Sequence, residues 1–424
     1  MKVGIYTLGC KVNSYESEYV AKLFEEKGYI ISNFDDICDI YVINTCTVTN
    51  QSDSKSRKII REAIRKNSCA CIVAMGCFVE SNRDKLPEGI DVIIGNKDKS
   101  KIVELVEEYL ENKVPVNVLT DDLGLEFEDM EISEFGNKTR AFVKIQDGCE
   151  NYCTYCIIPS VRGKCRSKEF DKVINEITNL VNNGYKEIVL TGIHTGHYGA
   201  DLNVSFAELL KAIIKIPNLY RLRISSIETT ELNDEVLDII KNSNIICNHL
   251  HVPLQAGSDP ILKLMNRKYD TKYFLDKIAE IRSIRPDIAI STDIIVGFPG
   301  ETDELFEETM EISKKIGFSK IHVFPYSIRN NTPAAKFKNQ VDGNIKKDRV
   351  RRLIELSEEL EKKYMNKFID KKVEVLIERT VDGYSYGHTS NFLDVKVKGE
   401  FKQEDIINVK INDVDYPYVI GEVI

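Results

Sequence analysis

Three cysteines in one short segment, Cys149, Cys153 and Cys156, constrain the fold of this chain more than any other feature. They follow residues 141–146, which we predict to form the first strand of a β/α series. Three thiolates with this spacing can hold three irons of a 4Fe–4S cluster and leave the fourth iron open. A zinc knuckle or a redox-active cysteine pair is the alternative from spacing alone. The position after a strand favours the cluster, because β/α barrels place their chemistry at strand carboxyl ends.

Composition sets broad limits on the class of protein. The chain has 424 residues, which is enough for two or three domains. Its 11 cysteines are an odd number, and metal ligation explains them better than disulfides. The net charge of −9 argues against non-specific coating of nucleic acid. We see no signal peptide and no apolar run long enough to span a bilayer, so we expect a cytoplasmic protein with no membrane partner.

Hydrophobic periodicity predicts an α/β protein with three folded parts. Strand-like runs alternate with helical stretches over residues 1–120, which indicates a parallel α/β domain. Residues 121–138 are acidic and patternless, which predicts a linker. Residues 139–370 contain six further β/α units, as in a partial TIM-type (β/α)6 barrel, and residues 371–424 predict a small OB-like β-barrel.

A second set of cysteines, Cys10, Cys46 and Cys77, recurs at equivalent places in the first domain. Each lies just beyond the carboxyl end of a predicted parallel strand, and neighbouring strand ends converge in space. For any single cysteine, a buried small side chain is the ordinary alternative. Three at equivalent positions favour shared metal ligation, again with an open iron. We interpret the remaining five as structural: Cys38, Cys69, Cys71, Cys165 and Cys247.

The surroundings of Cys149, Cys153 and Cys156 resemble radical S-adenosylmethionine (SAM) enzymes. Tyr155, before the last cysteine, matches the aromatic residue that packs near the adenine of SAM in that superfamily. Thr191 and Gly192 end the second barrel strand, where the superfamily meets the SAM amino group; a simple turn is the alternative. Gly297 lies in Ile-Ile-Val-Gly-Phe-Pro-Gly-Glu, which resembles the glycine motif beside the adenine.

With both cysteine sets and all three parts, the chain resembles the radical SAM methylthiotransferase family over essentially its whole length. The strings that carry this resemblance are Leu8-Gly9-Cys10-Lys11-Val12-Asn13, Asn44-Thr45-Cys46-Thr47, Gly76-Cys77, Arg162-Gly163, Arg166-Ser167 and Pro253-Leu254-Gln255-Ala256-Gly257-Ser258-Asp259. The first string is similar to the bacterial branch that acts on N6-threonylcarbamoyladenosine of tRNA. The isopentenyladenosine branch usually has Gln-Met-Asn in place of Lys-Val-Asn, and the ribosomal-protein branch has Pro-Lys-Asn.

The resemblance implies methylthiolation of carbon 2 of N6-threonylcarbamoyladenosine at position 37 of tRNA, next to the anticodon. It also implies two 4Fe–4S clusters and two uses of SAM. One SAM methylates a sulfur on the cluster of Cys10, Cys46 and Cys77. Another is reduced at the second cluster, and the resulting 5′-deoxyadenosyl radical abstracts hydrogen. An electron donor such as flavodoxin or ferredoxin is implied. No catalytic side chain beyond the six cluster ligands is assigned.

Several polar residues near the predicted strand ends are further candidates. Gln255 matches a family string, which implies contact with the ribose or methionyl part of SAM. His249 and His251 share one face of the fourth barrel strand, as active-site groups or as satisfied interior residues. His194 and His197 follow the second strand, where substrate contact or a turn role is open.

Basic residues predict contact with RNA. Arg57, Lys58 and Arg61 belong to a basic helix after Cys46, capped by Asp53 or Ser54; a solvated helix face is the alternative. Lys347 and Arg351 belong to a second basic patch. The terminal barrel resembles a TRAM module, an RNA-binding fold. Its 387–392 loop ends in Phe392, an aromatic side chain suited to stacking on a base.

Other functions stay open from sequence alone. Sibling alternatives are methylthiolation of isopentenyladenosine in tRNA or of a ribosomal-protein aspartate. A non-catalytic zinc or iron–sulfur RNA-binding protein is the alternative from another class.

Overall fold

The structure, a computed structural model, describes residues 1–136 and 139–424. Asn137 and Lys138, the end of the predicted linker, lie outside the described residues. The chain is an α/β protein with a parallel N-terminal sheet, an arc of β/α units and a closed five-stranded C-terminal barrel, which confirms the predicted fold class. Among the described residues, no helix has the length and apolar composition of a membrane span.

The N-terminal domain is a parallel sheet in the order β2-β1-β3-β4-β5-β6, covered by helices on both faces. The central strands β3 and β4 are buried throughout, whereas β2 and β6 are edge strands too short to show periodicity in the sequence. The strands are β1 Lys2–Thr7, β2 Ile30–Ser32, β3 Ile40–Thr45, β4 Cys71–Gly76, β5 Val92–Ile94 and β6 Val116–Asn117. The helices are α1 Lys11–Glu26, α2 Asn50–Lys66, α3 Cys77–Ser81 and α4 Ile102–Asn112.

The central domain is an arc of parallel strands in the order β7-β10-β11-β12-β13-β14. Isolated bridges from Leu222 to Ile246 and from Ser226 to His251 connect its two halves. Its strands are β7 Arg140–Lys144, β8 Gln146–Asp147, β9 Arg166–Ser167, β10 Glu187–Thr191, β11 Arg221–Ile224, β12 His249–His251, β13 Ala289–Val296 and β14 Lys320–Pro325, with β8 and β9 forming a separate small ladder. Its helices are α5 Ile158–Arg162, α6 Phe170–Asn182, α7 Phe206–Ile213, α8 Asp234–Asn242, α9 Asp259–Leu264, α10 Thr271–Ile284, α11 Asp303–Ile316 and α12 Gly343–Asn366.

The segment predicted as a linker packs against the central domain. Met130, Ile132 and Phe135 are buried in that domain's core. The Tyr15 hydroxyl of α1 donates to the Met130 carbonyl at 2.6 Å, so the segment also contacts the N-terminal domain. Its few apolar residues are spaced among acidic ones, and periodicity therefore does not reveal their burial.

The C-terminal barrel docks on the central arc. Its strands are β15 Lys372–Val381, β16 Tyr384–Thr389, β17 Asp394–Lys398, β18 Ile406–Asp415 and β19 Tyr418–Val423. The predicted 387–392 loop is shorter than expected, because Gly387 to Thr389 end strand β16. The remaining loop contacts the arc: Arg223 donates to the Ser390 carbonyl at 3.1 Å, and the Asn248 amide donates to the Ser390 hydroxyl at 2.8 Å.

A buried ion cluster joins the N-terminal domain to the central arc. Glu16 of α1 accepts from Lys99 at 2.5 Å, from Lys144 of β7 at 2.9 Å and from Arg162 of α5 at 3.0 Å. Asp147 accepts from Arg162 at 3.0 Å and from Lys144 at 2.7 Å. Burial alone would raise the pKa of Glu16, but the cations Arg162, Lys144 and Lys99 hold it well below its usual range. The interface therefore depends on an ionised Glu16.

We expect Glu16→Gln to destabilise the protein by about 3–5 kcal/mol, because it leaves buried cations without their shared anion. The measurement is the urea midpoint, together with the thermal midpoint. Glu26→Gln, at the exposed end of the same helix, is the matched control and should stay within about 0.5 kcal/mol of wild type. Equal midpoints for Glu16→Gln and wild type would show that the cluster does not stabilise the interface.

Candidate cluster sites and the cavities between them

Cys10, Cys46 and Cys77 meet at one edge of the N-terminal sheet. They follow β1, β3 and β4, which are neighbours in that sheet, so their carboxyl ends lie side by side. Gly9 permits the close approach: at φ +98° it adopts a conformation that favours glycine, and a β-carbon there would lie 2.8 Å from the Cys46 β-carbon. The sheet topology thus brings together three cysteines that are far apart in the sequence.

Two asparagines hold these three cysteines in place. The Asn13 amide donates to the Leu8 carbonyl at 2.7 Å and to the Thr45 carbonyl at 3.1 Å, which ties the Cys10 and Cys46 loops together. The Asn96 amide lies 3.4 Å from the Cys77 sulfur. An N–H donor to sulfur is one of the groups by which proteins tune iron–sulfur clusters.

Cys149, Cys153 and Cys156 lie in the loop after β8, beside the strand ends of the central arc. The Arg267 guanidinium donates to the Cys153 sulfur at 3.3 Å and pairs with Glu228. Burial raises the pKa of Cys156 to about 12 and that of Cys46 to about 11. Such thiols are protonated at neutral pH, and metal binding would release their protons.

Two adjoining cavities connect the cysteine sets. The upper cavity, of 190 Å³, is lined by Tyr155, Cys156 and Gln255. The outer cleft, of 760 Å³, is lined by Gly9, Cys10 and Cys46. Both cavities share the walls formed by Val48, Thr49, Phe324, Pro325, Tyr326 and Ser327. A molecule held between them would therefore contact the surroundings of both cysteine sets.

The residues predicted for SAM fall into two groups. Tyr155 and Gln255 line the upper cavity, and Gln255 is held at φ +67°, a rare conformation for a residue with a side chain. Thr191 is buried at the end of β10, and Gly192 packs against Gln146, where a β-carbon would lie 3.1 Å from the Gln146 β-carbon. Gly297 packs under Lys346, where a β-carbon would lie 2.3 Å from Cγ. Their contacts with SAM stay predictions.

The four histidines singled out from the sequence lie in two places. His249 and His251 face the interior of the arc, and each lies 3.0 Å from the Ser291 hydroxyl. The Nδ1 atom of His194 lies 4.0 Å from the Cys149 sulfur, and His194 also pairs with Glu231. His197 stacks on the His194 ring, with centroids 5.0 Å apart. These two histidines thus border the predicted cluster.

The first basic helix is α2. Lys58 and Arg61 are exposed on it, and the Arg57 guanidinium lies 5.3 Å from the Phe78 ring centroid. The predicted cap is wrong: the Thr49 hydroxyl accepts from the Ser52 amide. Asp53 is instead buried and pairs with Arg329 at 2.6 Å. This ion pair connects α2 to the segment after β14.

The other residues predicted for RNA lie on α12 and in the C-terminal barrel. Lys347 and Arg351 are exposed on α12, and Arg351 pairs with Asp348 at 2.7 Å and with Glu355 at 2.8 Å. Phe392 is 41% exposed, but one side of its ring faces the Arg223 guanidinium at 4.5 Å. The Arg140 guanidinium lies 5.2 Å from the centroid of the same ring, so Phe392 packs on the central arc.

Several residues of the site were not recognised as such in the sequence. Arg162 lies in a family string, but its contact with Glu16 joins residues that are distant along the chain. Arg267 has no motif around it, although it contacts the Cys153 sulfur. A buried arginine cannot be told from an exposed one without the fold, and no local signal would have identified either contact.

Comparisons with known proteins agree with this architecture. A family profile described as "Radical SAM superfamily" matches residues 143–312, and one described as "Uncharacterized protein family UPF0004" matches residues 2–95. A solved radical SAM methyltransferase, TsrM from Kitasatospora setae, has a similar fold, with a TM-score of 0.58 and 14% identity over 78% of this chain and 76% of that one.

The names of two relatives state a reaction. The threonylcarbamoyladenosine tRNA methylthiotransferase MtaB of Bacillus subtilis (strain 168) is 43% identical over 99% of this chain and 96% of its own length. The tRNA-2-methylthio-N(6)-dimethylallyladenosine synthase of Clostridium botulinum (strain Hall / ATCC 3502 / NCTC 13319 / Type A) is 38% identical over 89% of this chain and 86% of its own length. The chain belongs to the radical SAM family of tRNA methylthiotransferases, whose cofactors are a 4Fe–4S cluster and SAM.

Proposed function

We propose that the enzyme transfers a methylthio group to carbon 2 of N6-threonylcarbamoyladenosine at position 37 of tRNA. The observation that carries this proposal is the wall shared by the upper cavity and the outer cleft, because a base held there would face both cysteine sets. The name of the Bacillus subtilis relative supports the choice of base. The carbon 2 C–H bond is not acidic, and radical chemistry is the route to it.

We infer that Cys149, Cys153 and Cys156 hold one 4Fe–4S cluster and that Cys10, Cys46 and Cys77 hold a second. The donor sets fit, since each offers three sulfurs and a nearby N–H donor, from Arg267 or Asn96. When bound, the clusters supply the electron that cleaves SAM and the iron site for sulfur transfer, with reducing equivalents from a donor such as flavodoxin or ferredoxin.

The side chains around the upper cavity would position SAM and the base and exclude water. Tyr155 and Gln255 would hold SAM, because both line the cavity beside Cys156. Phe324 and Tyr326 belong to the shared wall and offer aromatic surfaces to the adenine. A dry, aromatic pocket protects a carbon radical from competing hydrogen donors.

The mouth of the outer cleft would receive the RNA. Lys55 of α2 and Lys346 of α12 line this cleft, so the two predicted basic helices converge on it. Arg57, Lys58 and Arg61 extend the first helix, and Lys347 and Arg351 extend the second. We propose that they contact phosphates around the anticodon, and that the exposed part of the Phe392 side chain adds a contact with a base. A tRNA substrate would place the enzyme in the cytoplasm.

The test of the substrate is mass analysis of nucleosides after reaction of the reconstituted enzyme with anticodon stem-loops. One stem-loop carries N6-threonylcarbamoyladenosine and another carries N6-isopentenyladenosine; a ribosomal-protein substrate forms a third arm. We expect the methylthio mass increment on the threonylcarbamoyl stem-loop. Product only in another arm would reject the proposed base while leaving the methylthiotransferase chemistry intact.

Iron content tests the second cluster. We expect about eight irons per reconstituted chain and about four in Cys77→Ala, because one of the two three-thiolate sets is lost. Cys69→Ala is the matched control, an exposed cysteine in the same domain, and should retain the full iron content. A Cys77→Ala variant with wild-type iron content would contradict the assignment.

Arg267→Gln tests the charge beside Cys153. We expect the reduction potential of that cluster to fall by on the order of 60 mV, because the guanidinium favours the more negative, reduced state. The measurement is an electron paramagnetic resonance titration against potential. Lys268→Gln, which removes an exposed charge from the next residue, should leave the potential unchanged. An unchanged reduction potential in Arg267→Gln would contradict an electrostatic effect of this residue on the cluster.

A further inference from the structure

A third cavity, which the proposed mechanism does not use, lies inside the central arc. This inner cavity has a volume of 320 Å³, at the lower end of the range of about 300–1,000 Å³ for small-molecule pockets. Strands of the arc form part of its wall, and the loop around Phe392 forms another part. Lys11 of the N-terminal domain also lines it. All three domains therefore contribute to this cavity.

Lys11 differs from the other cations around the inner cavity. Arg223 pairs with Glu187 at 2.6 Å, Arg140 with Glu378 at 3.0 Å, and Lys320 with Glu361 at 2.8 Å. Within residues 1–136 and 139–424, no carboxylate lies within ion-pair distance of the Lys11 ammonium. The Lys11 ammonium, without a carboxylate partner among the described residues, can therefore bind an anion from outside the chain.

A neutral hydrogen-bonding group lies on the same cavity wall. His249 is 9% exposed, and its Nε2 atom lies 3.0 Å from the Ser291 hydroxyl. Its Nδ1 atom is buried and has no hydrogen-bond partner among the described residues. A buried polar atom without a partner costs free energy, and a polar ligand in the cavity would relieve that cost.

The inner cavity lies close to the proposed chemistry. Lys11 follows Cys10, which lines the outer cleft. On the other side, His251 of the inner cavity pairs with Asp293 of the upper cavity at 3.3 Å. One layer of side chains thus separates the inner cavity from the upper cavity. A base between the two cysteine sets could direct a substituent past that layer.

We propose that the inner cavity receives the N6 substituent of the target adenosine and that Lys11 binds its carboxylate, a role that rests on the proposed function. A threonylcarbamoyl group carries a carboxylate, a hydroxyl and urea N–H groups, which match the Lys11 ammonium and the polar His249 wall. An isopentenyl group has no polar atom and would leave Lys11 and His249 without partners. Lys11 is therefore a specificity-determining residue.

An ammonium group binds any oxyanion, so the source of the anion must be separated experimentally. The RNA backbone offers phosphates, and SAM offers its own carboxylate. The test compares two anticodon stem-loops that differ only in the threonylcarbamoyl carboxylate, which is free in one and a methyl ester in the other. Both kcat/KM and the affinity of fluorescently labelled RNA are measured for wild type, Lys11→Met and Lys11→Arg.

For wild type we expect the free acid to be preferred over the ester by about tenfold to a hundredfold, as for a hydrogen bond to a charged group. In Lys11→Met, kcat/KM and affinity for the free acid should fall by that factor, whereas both values for the ester should stay unchanged. Lys11→Arg should recover part of the preference. Lys27→Met, an exposed position just beyond the same helix, is the control and should behave as wild type.

Iron content and SAM affinity of Lys11→Met must match wild type, since Lys11 adjoins Cys10. Equal losses for acid and ester would assign Lys11 to a phosphate and overturn the proposal. A raised KM for SAM would assign it to the SAM carboxylate, with the same consequence. If wild type modifies the threonylcarbamoyl stem-loop but Lys11→Met keeps the acid preference, Lys11 does not bind the carboxylate. The further inference is then wrong, and the proposed function stands. If wild type modifies only isopentenyladenosine, the proposed function itself fails.

Discussion

The buried contact of Glu16 with Lys99, Lys144 and Arg162 is the interaction on which the arrangement of this enzyme depends. It fixes the N-terminal sheet against the central arc and thereby sets how one cysteine set faces the other. A buried charge costs free energy unless it is paired, and a shift of the interface would separate these charges from their partners. The same contact leaves the positive charge of Arg162 near Cys10 and Cys77, where a cluster of thiolates and iron would benefit from it.

With the domains held in this way, the cavities differ in the side chains that line them. The upper cavity and the outer cleft share an aromatic wall, which suits a flat base between two reactive centres. The inner cavity is lined by Lys11, which no carboxylate of the described residues pairs with. Under the proposed function, recognition of the substituent and chemistry at carbon 2 would occupy different parts of one interior. The C-terminal barrel contributes to the inner cavity through Phe392, so it has a structural role besides any contact with RNA.

Much of the fold is readable from local patterns. Strands β3 and β4 are short, mostly apolar runs, and their alternation with amphipathic helices indicates a parallel sheet. Local patterns do not reveal burial where apolar residues are few, or contacts between residues that are far apart in the sequence. Met130, Ile132 and Phe135 sit among acidic residues and yet belong to the core, and the Asp53 side chain pairs with Arg329 across a domain boundary instead of capping its helix. These contacts join segments that no window of sequence contains.

The sequence by itself determined the chemistry that this protein can hold: the spacing of Cys149, Cys153 and Cys156, and the recurrence of Cys10, Cys46 and Cys77 after strands. Ligand type and the succession of strands and helices along the chain are local properties, and the sequence encodes them directly. Only the tertiary structure decided which side chains surround the cysteines and line the cavities. The positions of Arg267 at the Cys153 sulfur and of Lys11 in the inner cavity depend on packing between distant elements, because the electrostatic surroundings of a charged side chain exist only once the chain has folded.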